Sequence, residues 1–115
     1  RRPRRRGIRG RSCTPTSTRA LAQAAAELLE TNQFGLYHAT SSGATTWHDL
    51  AGEIFRQSGI DVKLQPITTA EFGARAARPS YSVLNCQKLE SAIGRPMPSW
   101  QDALSQYFID RNETV

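Results

Sequence analysis

The chain has 115 residues, 38% of them apolar and 22% charged, which bounds it to one domain with a modest core. No apolar run approaches the roughly 20 residues that a bilayer-spanning helix needs, and no secretory signal follows the basic N-terminus. These exclusions, with two cysteines far apart in sequence, point to a reduced, cytoplasmic protein with no membrane partner.

The net charge of +5 arises at one end. Arg1, Arg2, Arg4, Arg5, Arg6, Arg9 and Arg11 supply seven positive charges, whereas eight basic and ten acidic residues follow from Ser12 onward. Residues 1–12 carry one sizeable apolar side chain, Ile8, and like charges at this density repel. Residues 1–13 are therefore expected to form a disordered or non-native tail, and residues 14–115 the folded part. Such a run could hold nucleic acid in a salt-dependent manner, but no aromatic residue is interleaved to stack on bases. Nucleic acid is not the favoured partner.

Thr14 is the expected N-cap of a first helix, with Pro15 at its first position. Leu21, Ala24, Ala25, Leu28 and Leu29 fall on one face of that helix. Gly35 to Thr40 reads as a short buried strand, with His38 a hydrogen-bonded structural residue on it. Thr46 can cap a second helix, with Asp49 three residues on. Trp47, Leu50, Ala51, Ile54 and Phe55 form its apolar stripe, and Ser58-Gly59 ends it. Val62 to Ile67 is the next strand, with Pro66 marking an edge or an end. Thr68 or Thr69 then caps a short helix through Glu71 and Phe72. Arg78-Pro79 breaks that helix, because proline lacks an N–H and pushes the preceding residue out of helical geometry. The chain runs extended through Tyr81 to Leu84 and re-enters a helix, Cys86 to Ile93, capped by Asn85 and ended by Gly94. Beyond Pro96 and Pro98, Ser99 caps a last helix that carries Trp100, Ala103, Leu104, Tyr107 and Phe108. Trp47 and Trp100 are expected in the core. Helix, strand and helix in this order imply a mostly parallel sheet.

Arg78 sits on a stiff turn between two elements. A guanidinium held there suits a planar, doubly charged anion such as a diphosphate; a surface carboxylate or helix carbonyls would suit it too. Tyr81 beside it either lines a pocket or packs. His38, His48, Cys13 and Cys86 lack metal-ligand spacing, and Cys86 has no local support as a nucleophile.

Arg78-Pro79, Ser82-Val83-Leu84 and Lys88-Leu89 together resemble the RP-x-x-S-x-L…K-L element of dTDP-4-dehydrorhamnose reductases, extended members of the short-chain dehydrogenase/reductase superfamily. The stretch GLYHATSSGATTWHDLA from Gly35 to Ala51 is similar to that family's G-x-Y-H…G…S/T-W…A segment. Thr14-Pro15-Thr16 resembles the end of its D-Q-x-G-x-P-T element, although Gly10, Arg11 and Cys13 stand where Asp, Gln and Gly are expected. The resemblance thus begins at about Thr14 and runs to Phe108.

The resemblance implies an α/β fold: the C-terminal, substrate-binding part of a Rossmann-like reductase, made of helices with short strands. It implies Arg78, Tyr81, Ser82, Pro15 and Thr16 as substrate-binding residues, with a dTDP-4-keto-6-deoxy sugar as ligand. It implies no catalytic, cofactor-binding or metal-binding residue within this chain. The superfamily's Y-x-x-x-K pair is missing, since Gly59 and Leu84 stand four residues before Lys63 and Lys88. Gly7 and Gly10 give only part of a glycine-rich loop. NADPH is accordingly expected on an N-terminal Rossmann half that this chain lacks, and the family allows a homodimer of the full-length enzyme. By itself the chain is expected to be inactive in NADPH-dependent reduction of dTDP-6-deoxy-L-lyxo-4-hexulose to dTDP-L-rhamnose. A non-catalytic regulatory relative, or a small module binding nucleic acid through its arginines, are the alternatives.

Overall fold

The computed structural model describes residues 4–8, 11–67, 73, 76 and 78–113. In chain order the elements are β1 (Arg4–Ile8), α1 (Thr18–Leu29), α2 (Trp47–Ser58), β2 (Lys63–Ile67), α3 (Gln87–Ile93) and α4 (Trp100–Glu113). The expected helix through Glu71 and Phe72 lies outside the described residues. The chain divides into two compact units, one of Arg1–Cys13 with Ala44–Val83 and the other of Thr14–Gly43 with Leu84–Val115.

The first unit is built on a two-stranded parallel sheet. β1 pairs with β2 in the register Arg4 to Lys63 through Ile8 to Ile67. This corrects the expectation of a disordered tail for residues 4–8. The arginine run lacks apolar side chains, whereas a strand is held by main-chain pairing that needs none. β2 matches the expected strand, and its Pro66 lies in an edge strand, where a missing N–H is tolerated. α2 packs against both strands.

The ends of α2 follow local rules. Thr46 Oγ1 accepts from the Asp49 N–H at 3.1 Å, and Gly59 closes the helix in the left-handed region at φ 72°. Asp49 in the first turn and Arg56 in the last both complement the helix dipole. The apolar stripe is only half covered, and Trp47 is 51% exposed rather than core. Two short strands offer too little surface to bury a full helix face.

The second unit packs α1 against α3 around Ala24, Leu89 and Met97, with Leu28, Tyr37, Ala39 and Ile93 against them. Ser17, not Thr14, caps α1: its Oγ accepts from the Ala20 N–H at 3.1 Å. Pro15 therefore precedes the helix instead of opening it. Ala20 and Ala24 form the buried face, while Leu21 and Leu29 are exposed. Across the unit, Arg95 Nε donates to both carboxylate oxygens of Glu27, at 3.0 and 2.8 Å.

Asn85 acts one residue earlier than expected for α3. Its Oδ1 accepts from the Gln87 N–H at 2.9 Å, and Cys86 occupies the N-cap without a side-chain bond. Gly94 ends α3 at φ 75°, and Glu90 then fixes the connector by accepting from the Met97 N–H at 2.7 Å. Ser99 Oγ accepts from the Asp102 N–H at 3.1 Å at the start of α4. Trp100 is buried, as expected.

Gly35 to Thr40 forms no strand among the described residues, and His38 is exposed. The burial still alternates, with Leu36 and His38 outward and Tyr37 and Ala39 toward the core. The pattern of a strand is present; a paired neighbour within the unit is not. Side chains hold the segment instead. Lys88 Nζ donates to the Leu36 carbonyl at 2.8 Å and stands 4.5 Å from the Tyr37 ring centre. The Thr40 N–H donates to Cys86 Sγ at 3.3 Å.

The carboxyl of Glu53 is lowered from its ordinary 4.5 to about 2 by hydrogen bonds from Arg56 and then from Gln57. A carboxylate depressed in the folded state stabilises fully above its unfolded value and loses that effect as pH falls through its folded value. Glu27 and Asp110 are lowered in the same direction, chiefly by Arg95 and Arg19. Stability should therefore fall between about pH 4.5 and 2. Glu53→Gln should flatten part of that fall in urea midpoints taken across the range. An unchanged profile would show that the Glu53 contacts are not held in solution.

Candidate functional site

Arg78 and Pro79 are exposed and belong to no regular element. The segment that carries them is nonetheless fixed by main-chain bonds. The Ser12 N–H donates to the Ser80 carbonyl at 2.8 Å, and the Ser82 N–H donates to the Ser12 carbonyl at 3.0 Å. Ser12 and Tyr81 thus form a parallel bridge, and Ser82 Oγ adds a longer bond to the same Ser12 carbonyl at 3.3 Å. The next residue, Cys13, bridges antiparallel to Thr45 through two bonds of 2.8 Å.

On this frame the Arg78 guanidinium makes no hydrogen bond or ion pair among the described residues. A guanidinium carries five N–H donors, and none of Arg78's is taken by another described residue. Tyr81 is 65% exposed and presents its ring to solvent; Ser82 is exposed beside it. Arg78, Tyr81 and Ser82 are therefore brought together on one segment of the first unit.

Pro15 and Thr16 lie in the second unit, ahead of α1. The Thr16 hydroxyl is already engaged, donating to the Thr14 carbonyl and accepting from the Ser41 N–H, both at 3.1 Å. One lone pair remains, so Thr16 can accept a further bond but not donate one. Beside it, Ser41 is buried. Ser12 and Ser41 are the residues that sequence reasoning missed. Ser12 was hidden in the basic stretch, and Ser41 stood in a Ser-Ser-Gly run that reads only as loop.

Burial raises the Cys13 thiol pKa, which weakens it as a nucleophile. Cys86 Sγ is occupied by Thr40. Among the described residues no cluster of His, Cys, Asp and Glu could hold a metal ion, and no helix is long and apolar enough to cross a membrane. Gly7 lies inside β1, opposite Pro66, and not at a strand-to-helix turn. The sequence holds no Y-x-x-x-K.

Helices with a short pair of parallel strands place the chain in the α/β class. Residues 6–112 match the family described as the RmlD substrate binding domain. The chain belongs to that family. The match begins within β1, upstream of the boundary expected near Thr14. The spore coat polysaccharide biosynthesis protein SpsK of Bacillus subtilis is 36% identical over 99 residues, which cover 86% of this chain and 34% of that protein. A dTDP-4-dehydrorhamnose reductase of Streptomyces griseus is 41% identical over 91 residues, 78% of this chain and 30% of that enzyme. Among solved structures, the dTDP-4-dehydrorhamnose reductase of Bacillus anthracis in complex with NADP superposes with a TM-score of 0.89 at 33% identity. That superposition covers 95% of this chain and 39% of the other. The chain thus spans about a third of the length of the relatives it matches. Its fold is that of the substrate-binding part of a Rossmann-like, extended short-chain dehydrogenase/reductase.

Thr16→Val keeps the shape of the side chain but leaves the Ser41 N–H and the Thr14 carbonyl without their partner. A loss of about 1–3 kcal/mol in unfolding free energy is expected, with Thr16→Ser recovering most of it. Equal stability of the Val and Ser variants would show that these bonds contribute nothing.

Proposed function

We propose that this chain supplies part of the sugar-nucleotide site of a dTDP-4-dehydrorhamnose reductase. The observation that carries the reading is Arg78: exposed, without a partner among the described residues, and mounted on a segment pinned by Ser12. A planar guanidinium presents paired N–H groups that match two oxygens of a diphosphate, so it fixes orientation as well as charge. Tyr81 offers a ring face to the sugar or base. Ser82 can turn its hydroxyl proton from the 3.3 Å bond toward a ligand oxygen. Pro15 and Thr16, in the other unit, are candidates by the family resemblance alone.

The complete enzyme would transfer a hydride from NADPH to the 4-keto group of dTDP-6-deoxy-L-lyxo-4-hexulose, giving dTDP-L-rhamnose for polysaccharide biosynthesis in the cytoplasm. The acid, its lysine and the cofactor cradle belong to the part of the reductase that this chain does not span. The role of this chain is to hold and orient the nucleotide end of the substrate.

Purified residues 1–115 should show no NADPH-dependent turnover of the keto sugar. In a reductase carrying this segment, Arg78→Ala should weaken dTDP-sugar binding by about 1.5–3 kcal/mol, the range for hydrogen bonds to charged groups. NADPH affinity should be unchanged, and Arg78→Lys should recover only part of the loss. Turnover by the isolated chain, or unchanged sugar affinity in Arg78→Ala, would overturn the reading.

A further inference from the structure

Among the described residues the guanidinium of Arg78 has no side-chain partner to aim it, so its placement depends on the backbone that carries it. That backbone is bonded at Ser80 and Ser82 to one residue, Ser12. The adjacent Cys13 is bonded in both directions to Thr45, which is buried and immediately precedes the Thr46 cap of α2. A continuous set of main-chain bonds therefore runs from the Arg78 segment through Ser12-Cys13 to the start of a 12-residue helix. In paired extended chains a slip of one residue exchanges the two faces, which here would reverse the outlooks of Tyr81 and Ser82.

We infer that Ser12 is a positioning residue for the sugar-nucleotide site, acting through its main-chain N–H and C=O. It sets the register in which the segment presents Arg78 and Tyr81 to the ligand. The inference deepens the proposed function and rests on it. The Ser12 side chain has no part in this role, and that separates the proposal from an ordinary side-chain contact.

The test uses a reductase carrying this segment, with dTDP-4-keto-6-deoxy sugar and NADPH varied separately. Ser12→Pro removes the N–H that reaches Ser80. The KM for the sugar nucleotide should rise roughly 10- to 100-fold, as expected for a small misplacement of a binding group, with the KM for NADPH unchanged. Ser12→Ala keeps both main-chain groups and should restore sugar affinity. Normal sugar KM in Ser12→Pro, or loss in Ser12→Ala equal to that in Ser12→Pro, would overturn the proposal. Equal loss for both substrates would make Ser12 merely structural, which also overturns it. Where Ser12→Pro fails to fold, an amide-to-ester replacement at Ser12 deletes the same donor without the proline ring and is read in the same way. Hydrogen exchange at the Ser82 amide separates this inference from the reading beneath it. If Arg78→Ala leaves sugar binding intact, the proposed site falls. Ser82 exchange at least about 10-fold faster in the Ser12 variant would still show that Ser12 holds the segment. No change in that exchange would refute it.

Discussion

The main chain of two consecutive residues, Ser12 and Cys13, is the constraint on which the candidate site depends. Ser12 is bonded on one side to residues 80 and 82, and Cys13 on the other to Thr45. The stretch from Arg78 to Ser82 has no helix or strand of its own, and exposed irregular backbone opens readily when nothing ties it down. Here each free backbone group that Ser12 engages removes conformations from the segment without involving a side chain. Among the described residues it is the backbone, and not a carboxylate, that holds the Arg78 segment.

The second unit illustrates the opposite economy. Its core of Ala24, Leu89 and Met97 is small, and the apolar residues that do not reach it stay outside: Leu29 is 85% exposed, Phe34 88% and Leu36 80%. Polar contacts across the unit supplement the packing. The Glu27–Arg95 fork joins α1 to the residue just beyond α3, and Arg19 pairs with Asp110 of α4. These pairs are partly exposed, so each adds little by itself.

What was legible in the sequence is what depends on near neighbours. Thr46 and Ser99 each accept a bond three residues ahead, and Gly59 and Gly94 take left-handed geometry at helix ends. Such rules need no knowledge of the rest of the fold. The displaced cap of α1 shows their limit: Thr14, Thr16 and Ser17 are all chemically able to cap, and the Thr16 hydroxyl is drawn away by Ser41, 25 residues distant. Strands were harder still. Gly35 to Thr40 has the alternation of a strand but no ladder, and Arg4–Ile8 has a ladder without apolar composition. Pairing is a property of two segments, and one segment's sequence does not state it. Of the site, the arginine was visible through the proline that follows it, whereas Ser12 acts through main-chain groups that every residue except proline possesses.

On the proposed reading, this chain bears none of the groups that make or break bonds, and it still governs the rate. Binding energy gained on the non-reacting end of a substrate can be used to fix the reacting end in the geometry of the transition state. The diphosphate is the most strongly charged and least variable part of a sugar nucleotide, so an arginine that grips it sets the reference point for the whole molecule. A displacement of the grip by an ångström is carried along the ligand to the keto carbon, where alignment with a hydride donor tolerates little error. The precision of the chemistry in the other part of such an enzyme would then be limited by the stiffness of the Arg78 segment. On the same reading that stiffness would come from the main-chain bonds of Ser12 to residues 80 and 82 and of Cys13 to Thr45, beside the capped end of α2.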